Sequence, residues 1–172
     1  ELELKPNENI ELRDGLFEFS TATATLTFGN IAERPVLSIN RSFSAPIILR
    51  QHATENDLLF LAAHDNDSFN RWEASQTIAK RLLIDAYLGK PVDVARFANS
   101  LKLTINNPSL DDAFKALMLQ LPGEAEITVE LATDVDAERV HNARKSVLKK
   151  ISELLIDDLI NIFKTRTAHG TY

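Results

Sequence analysis

The chain has 172 residues, 44% of them hydrophobic and 26% charged, enough for one domain or two small ones around a buried core. Nineteen Lys and Arg against twenty-five Asp and Glu give a net charge of −6, which argues against an electrostatic nucleic-acid binder, and no window reaches the ~20 apolar residues of a membrane-spanning helix. With no cysteine, disulfides, thiol catalysis, Cys-ligated zinc and iron–sulfur clusters are excluded.

Residues 1–50 have strand chemistry. Glu1-Leu2-Glu3-Leu4 alternates polar and apolar from the first residue, with no signal-peptide pattern, and a chain that starts inside a strand reads as a piece of something longer. Arg13-Asp14-Gly15 is a turn signal between Ile10-Glu11-Leu12 and Leu16-Phe17-Glu18-Phe19. From Thr21 to Phe28, threonines alternate with Ala22, Ala24, Leu26 and Phe28, which predicts a half-buried strand closed by Gly29-Asn30. Val36–Ile39 and Ile47–Leu49 read as two further short strands, set off by Pro35 and Pro46. About five short antiparallel strands in a small sandwich or open sheet are expected.

From Thr54 the apolar period changes to 3.6. Thr54 with Asp57 is a capping pair ahead of Leu58, Leu59, Leu61 and Ala62. A second helix opens at Asp67-Ser68, with a predicted inner stripe of Phe69, Trp72, Gln76, Ala79, Leu83 and Ala86, and ends at Gly89-Lys90-Pro91. A third is expected over Val92–Ile105, a fourth over Leu110–Gln120 and a short one over Glu124–Leu131. Asp136–Arg166 lacks Pro and Gly, and Val140, Val147, Ile151, Leu155, Leu159 and Ile162 mark the stripe of one long helix or two nearly continuous ones. Thr167–Tyr172 is expected to be loose. Strands first and helices afterwards predict a segregated α+β chain: a β domain over 1–53 and an array of about five to six helices, paired like hairpins, over 54–172.

The chemical motifs are mostly missing. Five scattered glycines exclude a GxGxxG or P-loop phosphate cradle, and no Gly-x-Ser-x-Gly elbow is present. None of His52, His64, His141 and His169 has another histidine within four residues, so the two-imidazole face of a zincin helix is absent. His64-Asp65-Asn66-Asp67 is the densest polar cluster. As a calcium loop it would place Asn70 where glycine is needed and Gln76 where glutamate is needed, so Asp65 and Asp67 are expected to cap a helix instead. Arg71 beside these aspartates is expected to form a local ion pair, and Trp72 to anchor the junction of sheet and helices. Asn40-Arg41-Ser42 and Asn66-Asp67-Ser68 are chance glycosylation sequons, and a cytoplasmic location is expected from the lack of cysteine and of a signal peptide.

Arg41-Ser42-Phe43-Ser44-Ala45-Pro46, followed by an aliphatic run, resembles the Arg-x-Phe-Ser-Ala-Pro segment of the bacterial aminopeptidase N family. His64-Asp65-Asn66-Asp67-Ser68-Phe69-Asn70-Arg71-Trp72-Glu73-Ala74-Ser75-Gln76 is similar to that family's His-Asp-x-Asp-x-Phe-x-Arg-Trp-x-Ala-x-Gln helix start. Phe28-Gly29-Asn30, Arg34-Pro35-Val36, Leu121-Pro122 and Asp134-Val135-Asp136 fall in the family's order, although Ser68 and Ala137 stand where it often has proline. The resemblance implies a parent that is a zinc-dependent, alanine-preferring aminopeptidase acting on peptides. Its metal would polarise the scissile carbonyl and lower the pKa of a bound water. The family's His-Glu-x-x-His…Glu and Gly-x-Met-Glu-Asn segments are absent, and the single methionine is Met118. The chain therefore resembles the region after the catalytic domain: part of an immunoglobulin-like β domain, then the opening helices of the C-terminal helical domain. No catalytic, cofactor-binding or metal residue carries over, and zinc would be bound outside this chain. A second reading is an independent module that grips a partner protein with a concave helical face. Loss of leading β strands would also leave the β half prone to self-association.

Overall fold

The computed structural model describes residues 3–5, 12–13, 16–17, 22–131 and 134–166. It divides into two compact units, Glu1–Val36 and Leu37–Tyr172.

Among the described residues the first unit holds four short strands: β1 (Glu3–Lys5), β2 (Leu12–Arg13), β3 (Leu16–Phe17) and β4 (Thr27–Gly29). β1 pairs antiparallel with β4, Leu4 opposite Phe28, and β2 pairs antiparallel with β3, Leu12 opposite Phe17. The β2–β3 pairing agrees with the hairpin expected around Arg13-Asp14-Gly15, whose Asp14 and Gly15 lie outside the described residues, as do Glu1, Leu2, Ile10, Glu11, Glu18, Phe19 and Thr21. The threonine strand is shorter than expected. Only Thr27–Gly29 joins a ladder, because β1 offers three residues to pair with; residues 22–26 have no regular structure. Asn30 then takes a φ of 57°, the left-handed conformation that ends the run. Among the described residues these strands form two separate two-stranded ladders, against the expected small sandwich or open sheet.

Val36–Ile39 and Ile47–Leu49 are not strands. In the second unit, residues 37–53 form a strap without regular structure apart from a tight turn at Arg41–Phe43. Alternation supplies a strand face, but a strand exists only against a partner. Here side-chain hydrogen bonds tie the strap to the helices instead.

Six helices follow among the described residues: α1 (Glu55–His64), α2 (Ser68–Tyr87), α3 (Ala95–Ile105), α4 (Asp112–Met118), α5 (Glu124–Leu131) and α6 (Ala137–Arg166). α1 starts as expected: Thr54 Oγ1 accepts from Asp57 N–H at 3.2 Å, and Asp57 Oδ2 accepts from Thr54 N–H at 3.0 Å. Asp67 caps α2, and Gly89 beyond its end takes a φ of +74°. α3 begins three residues later than expected because Asp93 Oδ1 accepts from Ala95 N–H at 2.9 Å and sets the first turn there. α4 is likewise shortened to Asp112–Met118, with Asp111 Oδ1 taking the N–H groups of Ala113 and Phe114. α5 has its expected bounds, and α6 is one continuous helix. The tail from Thr167, His169 included, lies outside the described residues.

α1 packs on α2 and α3; α6 packs on α2, α3 and α5; α4 packs on α3 and α2. The core is built from Leu61 and Ala62, Ile78 and Leu83, Phe97 and Leu101, Met118, Ile127, and the α6 stripe Val140, Val147, Ile151 and Leu155. Two clamps fix the long helix. Lys102 Nζ of α3 and Nδ2 of Asn106, the residue just after it, each reach Asp158 at 2.9 Å, and these bonds hold its carboxyl below the usual range. Arg139 lies 5.0 Å from the centre of the Tyr87 ring, while Tyr87 Oη accepts from Asp136 N–H at 3.2 Å.

The buried face of α2 differs from the predicted stripe. Ala79 and Leu83 are buried, but Phe69, Trp72, Gln76 and Ala86 are only half-buried. Asn70, Arg71, Ala74, Ser75 and Ile78 take the inner positions. The predicted stripe follows helical spacing and gives arginine no inner place, whereas Arg71 enters the core because hydrogen bonds receive it. Trp72 is thus not a buried anchor. It is one end of a ring run, 6.3 Å from Phe69, which lies 5.1 Å from Phe43. Trp72→Ala is expected to cost about 1–2 kcal/mol, rather than the 3–5 kcal/mol of a fully buried ring. A shift of the urea midpoint at constant slope measures it.

Candidate functional site

Two of the segments that carry the family resemblance, 41–46 and 64–76, meet at the elbow between α1 and α2. This elbow is His64-Asp65-Asn66-Asp67. Asp65 and Asp67 cap as expected: Asp67 Oδ1 accepts from Asn70 N–H at 2.9 Å, and Asp65 Oδ1 accepts from Asp67 N–H at 2.9 Å. Their remaining capacity grips the strap. Asp67 Oδ2 accepts from Ser42 N–H at 2.9 Å and from the Ser42 hydroxyl at 3.0 Å. Arg41 Nη1 donates to Asp65 Oδ1 at 3.1 Å and to Ser38 Oγ at 2.8 Å, and Arg41 Nη2 bonds Asn66 Oδ1. Asn70 Nδ2 closes the clasp on Ser38 Oγ at 2.7 Å and on the Ile39 carbonyl at 3.0 Å.

The strap reaches these partners through an unusual turn. Asn40, Ser42 and Phe43 have φ values of 55°, 55° and 50°. Asn40 tolerates that region best, and its side chain holds the turn from within, donating to the Ala45 carbonyl at 3.1 Å and accepting from Ala45 N–H at 2.9 Å. The left-handed conformation of Phe43 costs on the order of 1–3 kcal/mol. It places the ring against Phe69.

The electrostatics follow from this wiring. Burial pushes the Asp67 carboxyl up, but the bonds from Asn70 and Ser42 and the charge of Arg41 outweigh it and hold the group below its ordinary value of 3.8. The expected ion pair between Arg71 and the aspartates is replaced by a different arrangement. Arg71 is 5% exposed and donates to the Thr104 hydroxyl at 2.9 Å and to the Asp65 carbonyl at 3.4 Å, joining the elbow to α3. Burial lowers its pKa, and the Asp65 charge acts in the opposite direction. The Asp65 carboxylate pairs with Arg41 instead.

Beside the clasp, an open groove of about 810 Å³ runs between the strap and α2. Its floor includes Leu58, Leu61, Phe69 and Ala74; Arg50, Lys80 and Arg81 stand on its rim with Glu73 and Glu130. Among the described residues no three of His, Asp and Glu gather as a metal site, and both aspartates beside His64 are taken up by the clasp, so these residues do not fit zinc. His141 Nδ1 lies 2.9 Å from Glu124 Oε1, a link between α6 and α5, and Met118 is a core residue. No described helix is long and apolar enough to cross a membrane.

Comparison with known proteins places this arrangement. The family described as "Domain of unknown function (DUF3458_C) ARM repeats" matches residues 55–172, and the family described as "Domain of unknown function (DUF3458) Ig-like fold" matches residues 2–52. Aminopeptidase N of Caulobacter vibrioides is 35% identical over 153 residues, covering 88% of this chain and 18% of the relative. Aminopeptidase N of Escherichia coli is 27% identical over 175 residues, covering 94% of this chain and 20% of the relative. The crystal structure of Legionella pneumophila aminopeptidase A in complex with aspartic acid superposes with a TM-score of 0.69 at 26% identity, covering 86% of this chain and 19% of that one. The chain thus spans a small part of the length of each relative. The chain belongs to the aminopeptidase N family, of whose named members it matches a segment.

Proposed function

We propose that this chain is a noncatalytic segment of a zinc-dependent aminopeptidase that removes N-terminal residues from peptides, alanine foremost. In this reading the metal and the catalytic groups belong to the parent outside residues 1–172, and the location is cytoplasmic. The role of the segment is structural: it joins a β domain to a helical array and helps shape access to the parent's active site. The observation that carries the reading is the clasp. Arg41, Asp65 and Asp67 are motif residues of the resemblance, and together with Ser42 and Asn70, which stand at variable positions of the motifs, they hold strap to elbow. The names of the relatives, and the small share of their length that is matched, support a peptidase parent.

The β domain is read as an immunoglobulin-like sandwich, with its sequence boundary at 53/54; the Ig-like match over residues 2–52 supports this. In isolation the uncovered β half is proposed to self-associate. The source reading frame tests the main proposal. It is expected to continue several-fold beyond this chain with His-Glu-x-x-His upstream, and the purified parent to hydrolyse an alanyl-anilide, lose activity to a chelator and regain it with zinc. A short reading frame without that motif, and a product that captures a defined partner protein, would favour an independent binding module.

A further inference from the structure

Asp65 Oδ2 and Arg71 Nε are both buried, and neither has a hydrogen-bond partner among the described residues. They belong to oppositely charged neighbours, since Arg71 Nη1 donates to the Asp65 backbone carbonyl at 3.4 Å. Each side chain is held by another partner instead. Asp65 Oδ1 accepts from Arg41 Nη1 at 3.1 Å and from Asp67 N–H at 2.9 Å. Arg71 Nη2 donates to the Thr104 hydroxyl of α3 at 2.9 Å. An unpaired carboxylate oxygen and an unpaired guanidinium N–H are costly inside a protein, so a bonded alternative is favoured once either restraint is lifted.

We infer that Asp65 is a two-position acceptor: clasped by Arg41 while the strap is seated, and paired through Oδ2 with Arg71 when the strap lets go, so that Arg71 leaves Thr104 and the bond between α2 and α3 is given up. Three observations support the second position. The strap is the easier restraint to lift: the Arg41 side chain is 45% exposed, and Asn40, Ser42 and Phe43 hold left-handed backbone that relaxes on release. The move leaves no hydroxyl stranded, because Thr104 Oγ1 also donates to the Ser100 carbonyl at 3.2 Å. The exchange is local, because Asp65 sits at the elbow where α1 ends and Arg71 lies in the first turn of α2. In this way the seating of the strap is reported to the core between α2 and α3, through one carboxylate shared by two arginines.

Urea unfolding of the chain tests this through Thr104→Val, which keeps the branched shape and removes the acceptor of Arg71. In the native background the substitution is expected to raise the unfolding equilibrium constant about ten-fold or more. In an Arg41→Gln background it should raise it by less than about three-fold, because Arg71 has already moved to Asp65. Ser42→Ala is the control: it weakens the strap at Asp67, leaves Arg41 on Asp65, and should keep the full effect of Thr104→Val. Equal effects in the native and Arg41→Gln backgrounds overturn the two-position acceptor, as does a negligible effect in the native one. A loss of the effect in Ser42→Ala overturns it too, since any loosening of the strap would then suffice. Crystal structures identify the partner directly. In Arg41→Gln, Arg71 Nε is expected within about 3.2 Å of Asp65 Oδ2. An Arg71 still bonded to Thr104 in that variant overturns the reading, and so does an Nε–Oδ2 bond, direct or through a water, already formed in the native protein.

Discussion

Leu83→Ala is expected to destabilise the protein by about 2–5 kcal/mol. Leu83 is 0% exposed and sits on the inner face of α2, the helix that packs on α1, α6 and the clasped turn of the strap. Truncation removes apolar contacts and leaves a cavity that a close-packed interior fills only in part. The cost is a large share of the 5–15 kcal/mol that holds an ordinary domain folded. Urea unfolding followed by far-UV circular dichroism reads it as a lowered midpoint at unchanged slope. Leu88→Ala, at an exposed leucine just past the same helix, is the control and should cost no more than about 0.5 kcal/mol.

Asp67→Ala is the second large effect, expected at about 2–3 kcal/mol, because one carboxylate does two jobs. Its Oδ1 caps α2 through Asn70 N–H, and its Oδ2 holds both donors of Ser42. Removing it leaves a helix end uncapped and the strap turn without its acceptor. The pH dependence has a definite sign. The folded Asp67 carboxyl lies below its ordinary value of 3.8, so its contribution is fully present above that value and is lost as pH falls through the lower folded value. The gap in melting temperature between the native chain and Asp67→Asn should therefore be widest near neutrality and narrow below pH 3.8. A gap that stays constant into acid would mean that the charge of Asp67 contributes nothing.

What could be read from the sequence follows the range of the forces involved. The Thr54–Asp57 capping box, the Asp67 cap and the bounds of α5 are local events, set within four residues by side chains that are visible in order. α6 was legible because its stripe repeats over many turns without a breaker. The buried position of Arg71 was not legible. A periodic reading assigns arginine to solvent, and the Thr104 hydroxyl that receives it is 33 residues away. The clasp was half legible: Arg41, Asp65 and Asp67 stand out as motif residues, but only the fold shows that Ser38, Ser42 and Asn70 join them and that Arg41 takes Asp65 and leaves Arg71 to α3. Residues 36–39 and 47–49 have the chemistry of strands and lack a ladder among the described residues, since alternation specifies a face and never supplies a partner.

The proposed role of this chain is structural and noncatalytic, within a metallo-aminopeptidase. Its most direct test is to dialyse the purified 172-residue chain, determine bound zinc by atomic spectroscopy and assay it with an alanyl-anilide, beside the parent at equal molarity. Zinc and turnover are expected in the parent and neither in the chain, whose clasp has already engaged the aspartates nearest to His64. One equivalent of zinc in the short chain, with turnover that disappears on chelation and returns with the metal, would contradict it.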